Sequence, residues 1–244
     1  MWGTALATVV VLALPFLGGA GPGLATAAHA DAGTSTTSTT GPAERGHDRP
    51  NTVRSTGPVG TAGIASGTLE RRASAAAEGL SCPAAIGGRA GGATPDSYTA
   101  SGVGTTTQTD LVEFAAAYNA IRVENCLEPI PFDNFTYDPC MEQRLFWMAE
   151  DPSEDPMSAW GHLGSERSDG VPSVGCDGNL AGGTGNTGST VAYKWWVSQA
   201  HRDSLYRPGA ETEGVCIAFA MSHGGIPNEP YPFTRAAARW YHCA

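Results

Sequence analysis

The chain contains few basic side chains for its length of 244 residues. There are 14 Lys and Arg against 24 Asp and Glu, so the formal net charge at pH 7 is −10. Residues 110–244 hold 18 of the acidic and 8 of the basic side chains, so they carry the whole net charge. Nucleic acids and anionic membranes attract basic patches. The composition therefore argues against both as partners.

No apolar run in the sequence reaches the length of about 20 residues that a membrane-spanning helix needs. The longest candidate covers residues 5–17 and is broken at Pro15. Residues 28–30 read Ala-His-Ala, a small-residue pattern that is typical of a cleaved secretory signal. We therefore predict a signal peptide over residues 1–30, a secreted, extracellular mature chain and no membrane span.

Large apolar side chains are also scarce in residues 31–108, which are rich in Gly, Ser, Thr, Ala and Pro. Such a segment cannot bury enough apolar surface to offset the entropy of the chain. The composition predicts a low-complexity, disordered spacer. Cys82 is the exception, and we expect it to attach the end of this spacer to the folded part.

The standard local signatures of enzymes are missing as well. The sequence contains no G-x-S-x-G, no H-E-x-x-H, no phosphate-binding loop and no dinucleotide glycine fingerprint. Common hydrolase and nucleotide-binding functions thus have no local support, and no catalytic residue is assigned.

Cysteine is present in an even number, with none in a C-x-x-C pair. The six are Cys82, Cys126, Cys140, Cys176, Cys216 and Cys243. An even set in a chain expected to be secreted predicts three disulfides, with fifteen pairings open. Buried free thiols are the alternative.

Three helices are predicted from apolar spacing and capping residues. Apolar side chains recur at helical spacing over 110–125, and Asp110 can begin a capping box. Asp138 and the following proline predict the start of a second helix over 139–150. A third helix begins at residue 189 or 190 and ends near residue 201.

Two strands are predicted, over 214–221 and 233–240, and residues 151–190 read mostly as loop with short helical or extended pieces. Apolar residues occupy both faces of the segment 214–221, so its sheet needs helices on both sides. The expected fold is an α/β, three-layer α-β-α sandwich forming a single domain over residues 109–244, preceded by the disordered tail.

The pattern W-x-x-S-x-x-H-R occurs in this domain and is formed by Trp195, Ser198, His201 and Arg202. Upstream, residues 119–122 fit N-x-x-R, and residues 127–133 are close to L-x-P-L-x-W-D. In this order the motifs resemble those of bacterial SCP-like domains, members of the CAP superfamily of cysteine-rich secretory, antigen 5 and pathogenesis-related proteins. The resemblance covers about residues 110–240 and also implies an α-β-α sandwich.

The resemblance implies a central cleft in which two histidines and two acidic side chains can hold a divalent metal. His162 and His201 match the histidines, whose imidazoles suit zinc. The family's Gly-Glu-Asn reads Asp177-Gly178-Asn179 here, so the expected glutamate is missing. Side chains alternate along extended chain, so Asp177 can replace it only with a turn or bulge.

The predicted ligand cleft comprises His162, Asp177, Asn179, Trp195, Ser198 and His201. The leading hypothesis is a secreted, disulfide-stabilised, non-catalytic binding module for an extracellular or cell-wall-associated ligand, with lipids as one option. The alternative is a metal-assisted secreted hydrolase, in which His162, His201 and Asp177 hold zinc or another divalent metal. A third hypothesis is a surface spacer without a ligand. Metal binding requires the Asp177 carboxylate within about 4 Å of both imidazoles.

Overall fold

The computed structural model describes residues 72–244. The predicted signal peptide and residues 31–71 of the predicted spacer lie outside the described residues. Within the described part, no helix is long and apolar enough to cross a membrane.

The first long helix, α1, covers Gln108–Glu124. It begins two residues earlier than the sequence indicated, because Thr107 is the N-cap residue: its hydroxyl accepts a hydrogen bond from the Asp110 amide, 3.1 Å away. The Asp110 carboxylate in turn accepts from the Thr107 amide at 2.8 Å. Asp110 is thus the acidic third residue of the capping box rather than its first.

Helix α2 covers Pro139–Ala149, and the predicted N-cap Asp138 is confirmed, since its carboxylate accepts from two amides of the first turn. Helix α3 covers Gly188–Val197 and is capped by Thr187 rather than by residue 189 or 190. It ends at Ser198, after which a single turn, α4, covers Gln199–His201 and continues as a π-helical turn to residue 206.

Four strands form one mixed sheet in the order β1-β3-β4-β2. They are β1 (Phe135–Tyr137), β2 (Asn179–Thr184), β3 (Val215–Gly225) and β4 (Glu229–His242). The β1–β3 pair is parallel, and the other two pairs are antiparallel. The sequence predicted β3 and β4 but not β1, which is only three residues long and has one buried residue.

The two faces of the sheet are covered by different helices. On one face, Ile217 and Phe219 of β3 belong to the main apolar core with residues of α1 and α3. On the other face, Ala218 and Ala220 pack against Met141 and its neighbours in α2. This alternation confirms the predicted three-layer α-β-α sandwich, since each face of β3 needs its own helical layer.

Residues before position 109 also make contacts with the sheet and its helices. Residues 96–106 form a hairpin-like segment in which the Thr99 amide donates to the Val103 carbonyl at 2.8 Å. Thr106 is buried, and its hydroxyl bridges the Glu142 carboxylate of α2 (2.7 Å) and the Met221 carbonyl of β3 (2.9 Å). This segment is held in place by hydrogen bonds and not by the burial of apolar side chains. A prediction based on apolar content therefore missed it.

All six cysteines form disulfides, as predicted. The pairs are Cys82–Cys126, Cys140–Cys176 and Cys216–Cys243. The first attaches the segment before α1 to the end of that helix, as expected for Cys82. The other two join α2 to the segment before β2, and β3 to the residue after β4. Such a set fits a secreted protein, because disulfides persist in oxidising compartments.

Candidate functional site

Two residues of the predicted cleft form a hydrogen-bonded pair at the surface. His162 Nδ1 lies 2.7 Å from Asp177 Oδ1. His162 comes from the loop between α2 and β2, and Asp177 stands two residues before β2. Their side chains are 24% and 35% exposed, so a ligand in solution can reach both.

The Asp177 carboxylate determines which nitrogen of His162 a ligand meets. Its Oδ1 also accepts from the Gly178 amide (3.0 Å), and its Oδ2 accepts from the Leu163 amide (3.3 Å). Because an ionised carboxylate only accepts, His162 donates from Nδ1. In the neutral ring, Nε2 then carries the lone pair. Nε2 has no partner among residues 72–244, so it can accept a hydrogen bond from a ligand.

Gly178 lies directly before β2. A Cβ atom at Gly178 would lie 2.8 Å from Met141 Sδ and 3.1 Å from the Ala238 carbonyl oxygen. Position 178 therefore points towards α2, whereas the Asp177 carboxylate pairs with His162. A glutamate at position 178 would enter the α2 layer instead of joining the histidines.

Arg144 of α2 holds the backbone of the His162 loop. Its Nη2 donates to the Gly161 carbonyl at 2.6 Å and also to the His162 carbonyl. The guanidinium is fully buried over the Trp147 ring, 4.3 Å from the centroid. Burial lowers the pKa of Arg144, and the Asp177 carboxylate opposes that shift. Sequence reasoning missed Arg144, because its partners are 17 and 18 residues away along the chain.

Asp151 organises the earlier part of the same loop. Its buried carboxylate accepts from the hydroxyls of Ser158 and Ser168 and from the Ser153 amide. Burial alone would raise the pKa of Asp151, but these hydrogen bonds outweigh burial and lower it to about 2. The carboxylate therefore stays ionised and keeps the loop closed at neutral pH.

The pKa of His201 depends on His162 although the two are far apart in sequence. Burial lowers the pKa of His201, and the charge of His162 lowers it further, because two protonated imidazoles repel each other. The His201 ring is therefore neutral at pH 7. The two predicted histidines are thus near enough for their charges to interact.

Replacing His162 by alanine is expected to raise the pKa of His201. The substitution removes the repelling ring but keeps the burial, so the pKa should stay below the ordinary value of 6.5. A depressed pKa also makes stability fall as the pH drops through 6.5, because the unfolded chain then binds more protons than the folded one. This loss should be smaller in the variant.

An NMR titration of the histidine ring protons would measure both effects, with His201→Asn assigning the resonance. His242→Ala provides the control, since His242 is an exposed histidine near the end of β4. An identical His201 pKa in the parent protein and in His162→Ala would contradict the contact between the two rings.

Asn179 connects β2 to the segment that carries His201. Its Oδ1 accepts from the Ser204 hydroxyl at 2.5 Å, and its Nδ2 donates to the Ala238 carbonyl at 3.1 Å. Ser204, which sequence reasoning did not select, lies three residues after His201 in the π-helical turn. The contact orients that turn towards the His162–Asp177 pair.

The two other residues of the predicted ligand cleft are Trp195 and Ser198. Trp195 is fully buried and packs edge-on against Phe114, with ring centroids 5.7 Å apart, so it is a core residue rather than a wall of the ligand cleft. Ser198 separates α3 from α4 and is half-buried. Its hydroxyl, like Trp195 Nε1, has no hydrogen-bond partner among residues 72–244.

The donor atoms do not fit a tight zinc site. Structural zinc sites use four protein ligands, and catalytic ones usually use three. Across residues 72–244, no group of three or more His, Cys, Asp or Glu side chains is arranged to hold a metal ion. Asp177 already accepts from His162, Gly178 and Leu163. Two imidazoles remain, which lack the charge and the ligand number for strong binding.

Comparisons with protein-family models, with curated proteins and with solved structures give no match to this chain. The function of the chain is therefore inferred from its residues and from their geometry.

Proposed function

We propose that this chain is a secreted, non-catalytic binding protein of the SCP-like type. Its ligand site is the histidine cluster, defined as His162, Asp177, Asn179 and His201. One observation carries the proposal: Asp177 binds the Nδ1 of a partly exposed His162, which leaves Nε2 without a partner among residues 72–244. Prearranged polar atoms of this kind fix a ligand without a large ordering cost.

The SCP-like assignment is supported by what the motif residues do. Asn119 of the N-x-x-R motif donates to the Ile130 carbonyl (2.7 Å) and accepts from its amide (2.9 Å). Arg122 donates to the Glu128 carbonyl at 2.5 Å and to the Tyr206 carbonyl at 2.6 Å. The first helix thereby holds the L-x-P segment and the turn that follows the W-x-x-S-x-x-H-R motif.

The cluster is suited to an uncharged, hydroxyl-bearing ligand. A neutral imidazole offers a hydrogen-bond acceptor without a formal charge. The net charge of −10 repels anionic ligands at long range. A glycan of the cell wall or the polar head of a small lipid provides such hydroxyl or amide donors, and both fit an extracellular location.

A binding screen can test this proposal with two uncharged, hydroxyl-bearing probes, an N-acetylglucosamine tetrasaccharide and a short-chain monoacylglycerol. We expect one of them to bind and His162→Ala to weaken it about tenfold, the loss of roughly one well-placed hydrogen bond. His242→Ala is the matched control and should bind like the parent protein. Equal binding by the His162 and His242 variants, or binding of neither probe, would contradict the proposal.

Zinc titration separates this function from a metal-assisted hydrolase. With two imidazoles as the only free donors, zinc should bind with a dissociation constant of about 1 μM or weaker. Calorimetry on the parent protein and on a His162→Ala, His201→Ala double variant would measure it. Nanomolar binding that the double variant abolishes would favour the hydrolase.

A further inference from the structure

Two exposed tyrosines form an aromatic pair at the other end of β4 from the histidine cluster. Tyr98 is 65% exposed and Tyr231 is 48% exposed. Their ring centroids lie 6.2 Å apart, and the ring planes meet at 50°. We call them the tyrosine pair. Large aromatic rings seldom stay in solvent together without a function, because their contact with water is unfavourable.

Tyr231 is fixed from below by a buried histidine. Its ring stacks on His223, with centroids 4.8 Å apart and planes 11° apart. His223 Nε2 in turn lies 2.8 Å from the Asp110 carboxylate, which holds the imidazole in place. A Cβ atom at Gly104 would come within 2.9 Å of the Tyr231 ring, so only glycine leaves the ring in this position.

The hairpin-like segment 96–106 carries Tyr98 and is bound to the same residue, His223. Gly104 in this segment exchanges two backbone hydrogen bonds with His223, at 2.8 Å and 2.9 Å. The Asp96 amide donates to the Thr106 carbonyl at 3.2 Å, which closes the base of the segment. The Tyr231 ring and the backbone segment that carries Tyr98 are therefore both held by His223 of β3, so a ligand would meet a prearranged pair.

The surroundings of the pair are acidic. Burial raises the pKa of the Tyr231 hydroxyl, and Tyr98, Asp110 and Asp96 raise it further. Asp96 is exposed and lies two residues before Tyr98 in the chain. Among residues 72–244, no arginine or lysine stacks on either ring. The pair thus has acidic residues near enough to affect Tyr231 and, in the described part, no cation stacked on it.

We propose that the tyrosine pair is a binding site for a quaternary ammonium group. The negative faces of two inclined rings attract a cation, and methyl groups around the nitrogen lower the cost of removing it from water. Asp96 adds direct charge complementarity. Only two rings take part, so the site is open and binds small ligands at about millimolar concentration.

This site is separate from the histidine cluster. On β4, Thr234 pairs with His223, which lies under the tyrosine pair, and Ala238 pairs with Asn179 of the histidine cluster. Thr234 and Ala238 are four residues apart. The two regions are therefore about 13 Å apart along the strand. Failure of the proposed function would leave this proposal intact, and His162→Ala should not change binding at the tyrosine pair.

The test compares choline with 3,3-dimethylbutan-1-ol, which has the same shape but no charge. In NMR titrations of the full chain, choline should shift the resonances of Tyr98, Gly104 and Tyr231, and the neutral analogue should bind about tenfold more weakly. Tyr98→Leu should weaken choline binding about fivefold or more, whereas Tyr98→Phe, which keeps the ring face, should stay within about twofold. Tyr98 is largely exposed, so these variants should fold.

Asp96→Asn isolates the contribution of charge. Asp96 has a φ of 46°, and asparagine tolerates this left-handed conformation, so the backbone should be preserved. Choline should bind the variant more weakly, with no change for the neutral analogue. Binding to phosphatidylcholine vesicles would identify a lipid headgroup as the source of the cation, and binding to free choline alone would identify a soluble ligand.

Three results would overturn the proposal. Equal affinity for choline and 3,3-dimethylbutan-1-ol would show a simple apolar surface. Unchanged choline binding in Tyr98→Leu would place the ligand elsewhere. Shifts of the same resonances by an N-acetylglucosamine tetrasaccharide but not by choline would make the pair a glycan surface.

Discussion

Reduction of all three disulfides is expected to unfold the described domain at neutral pH and room temperature. The bridges close chain segments with sequence separations of 44, 36 and 27 residues. By the entropy that each removes from the unfolded chain, the first two contribute about 4 kcal/mol each and the third about 3.5 kcal/mol. Their combined effect is similar to the total stability of a typical domain, about 5–15 kcal/mol.

Thermal unfolding with and without reductant would measure this effect, with thiol titration confirming that six thiols have formed. A pair of double variants provides a finer comparison: Cys140→Ser with Cys176→Ser, and Cys82→Ser with Cys126→Ser. Each should lower the midpoint strongly, and the first should also loosen the segment that carries Asp177. An unchanged midpoint in fully reduced protein would contradict the expectation.

Replacement of Trp195 by alanine is expected to lower the free energy of unfolding by about 3–5 kcal/mol. The indole is fully buried and packs against Phe114, which stacks on Phe219 with centroids 4.3 Å apart. Truncation would therefore leave a large cavity between α3, α1 and the sheet. If Trp195 instead faced a solvent-filled cleft, the loss would be far smaller.

Val197→Ala is the control on the same helix, because Val197 is 41% exposed and its truncation should change stability by about 0.5 kcal/mol or less. Denaturant unfolding should show a lower midpoint for Trp195→Ala with an unchanged slope. A loss below about 1 kcal/mol would place Trp195 at the surface and return it to the predicted ligand cleft.

Much of the fold followed from local patterns. The proline after Asp138 predicted the start of α2, and the double-sided apolar run of β3 predicted helices on both faces of the sheet. The short strand β1 and the ordered segment 96–106 were missed for one reason: each is fixed by hydrogen bonds to residues that are distant in the chain.

The candidate site could be predicted only in part. The motifs selected His162, Asp177 and His201, of which His162 and Asp177 form a hydrogen-bonded pair. They could not select Arg144 or Ser204, because an arginine in a helix and a serine in a turn look ordinary until their partners are known. Nor could they show that Trp195 is buried.

The sequence by itself determined the helices, the main strands, the acidic charge and the use of all cysteines, because these depend on spacing and composition. Only the tertiary structure decided which cysteines pair, that Asp177 binds His162, and that Tyr98 meets Tyr231. Each of these is a contact between segments far apart in the chain, and spacing and composition within one segment do not determine its distant partner.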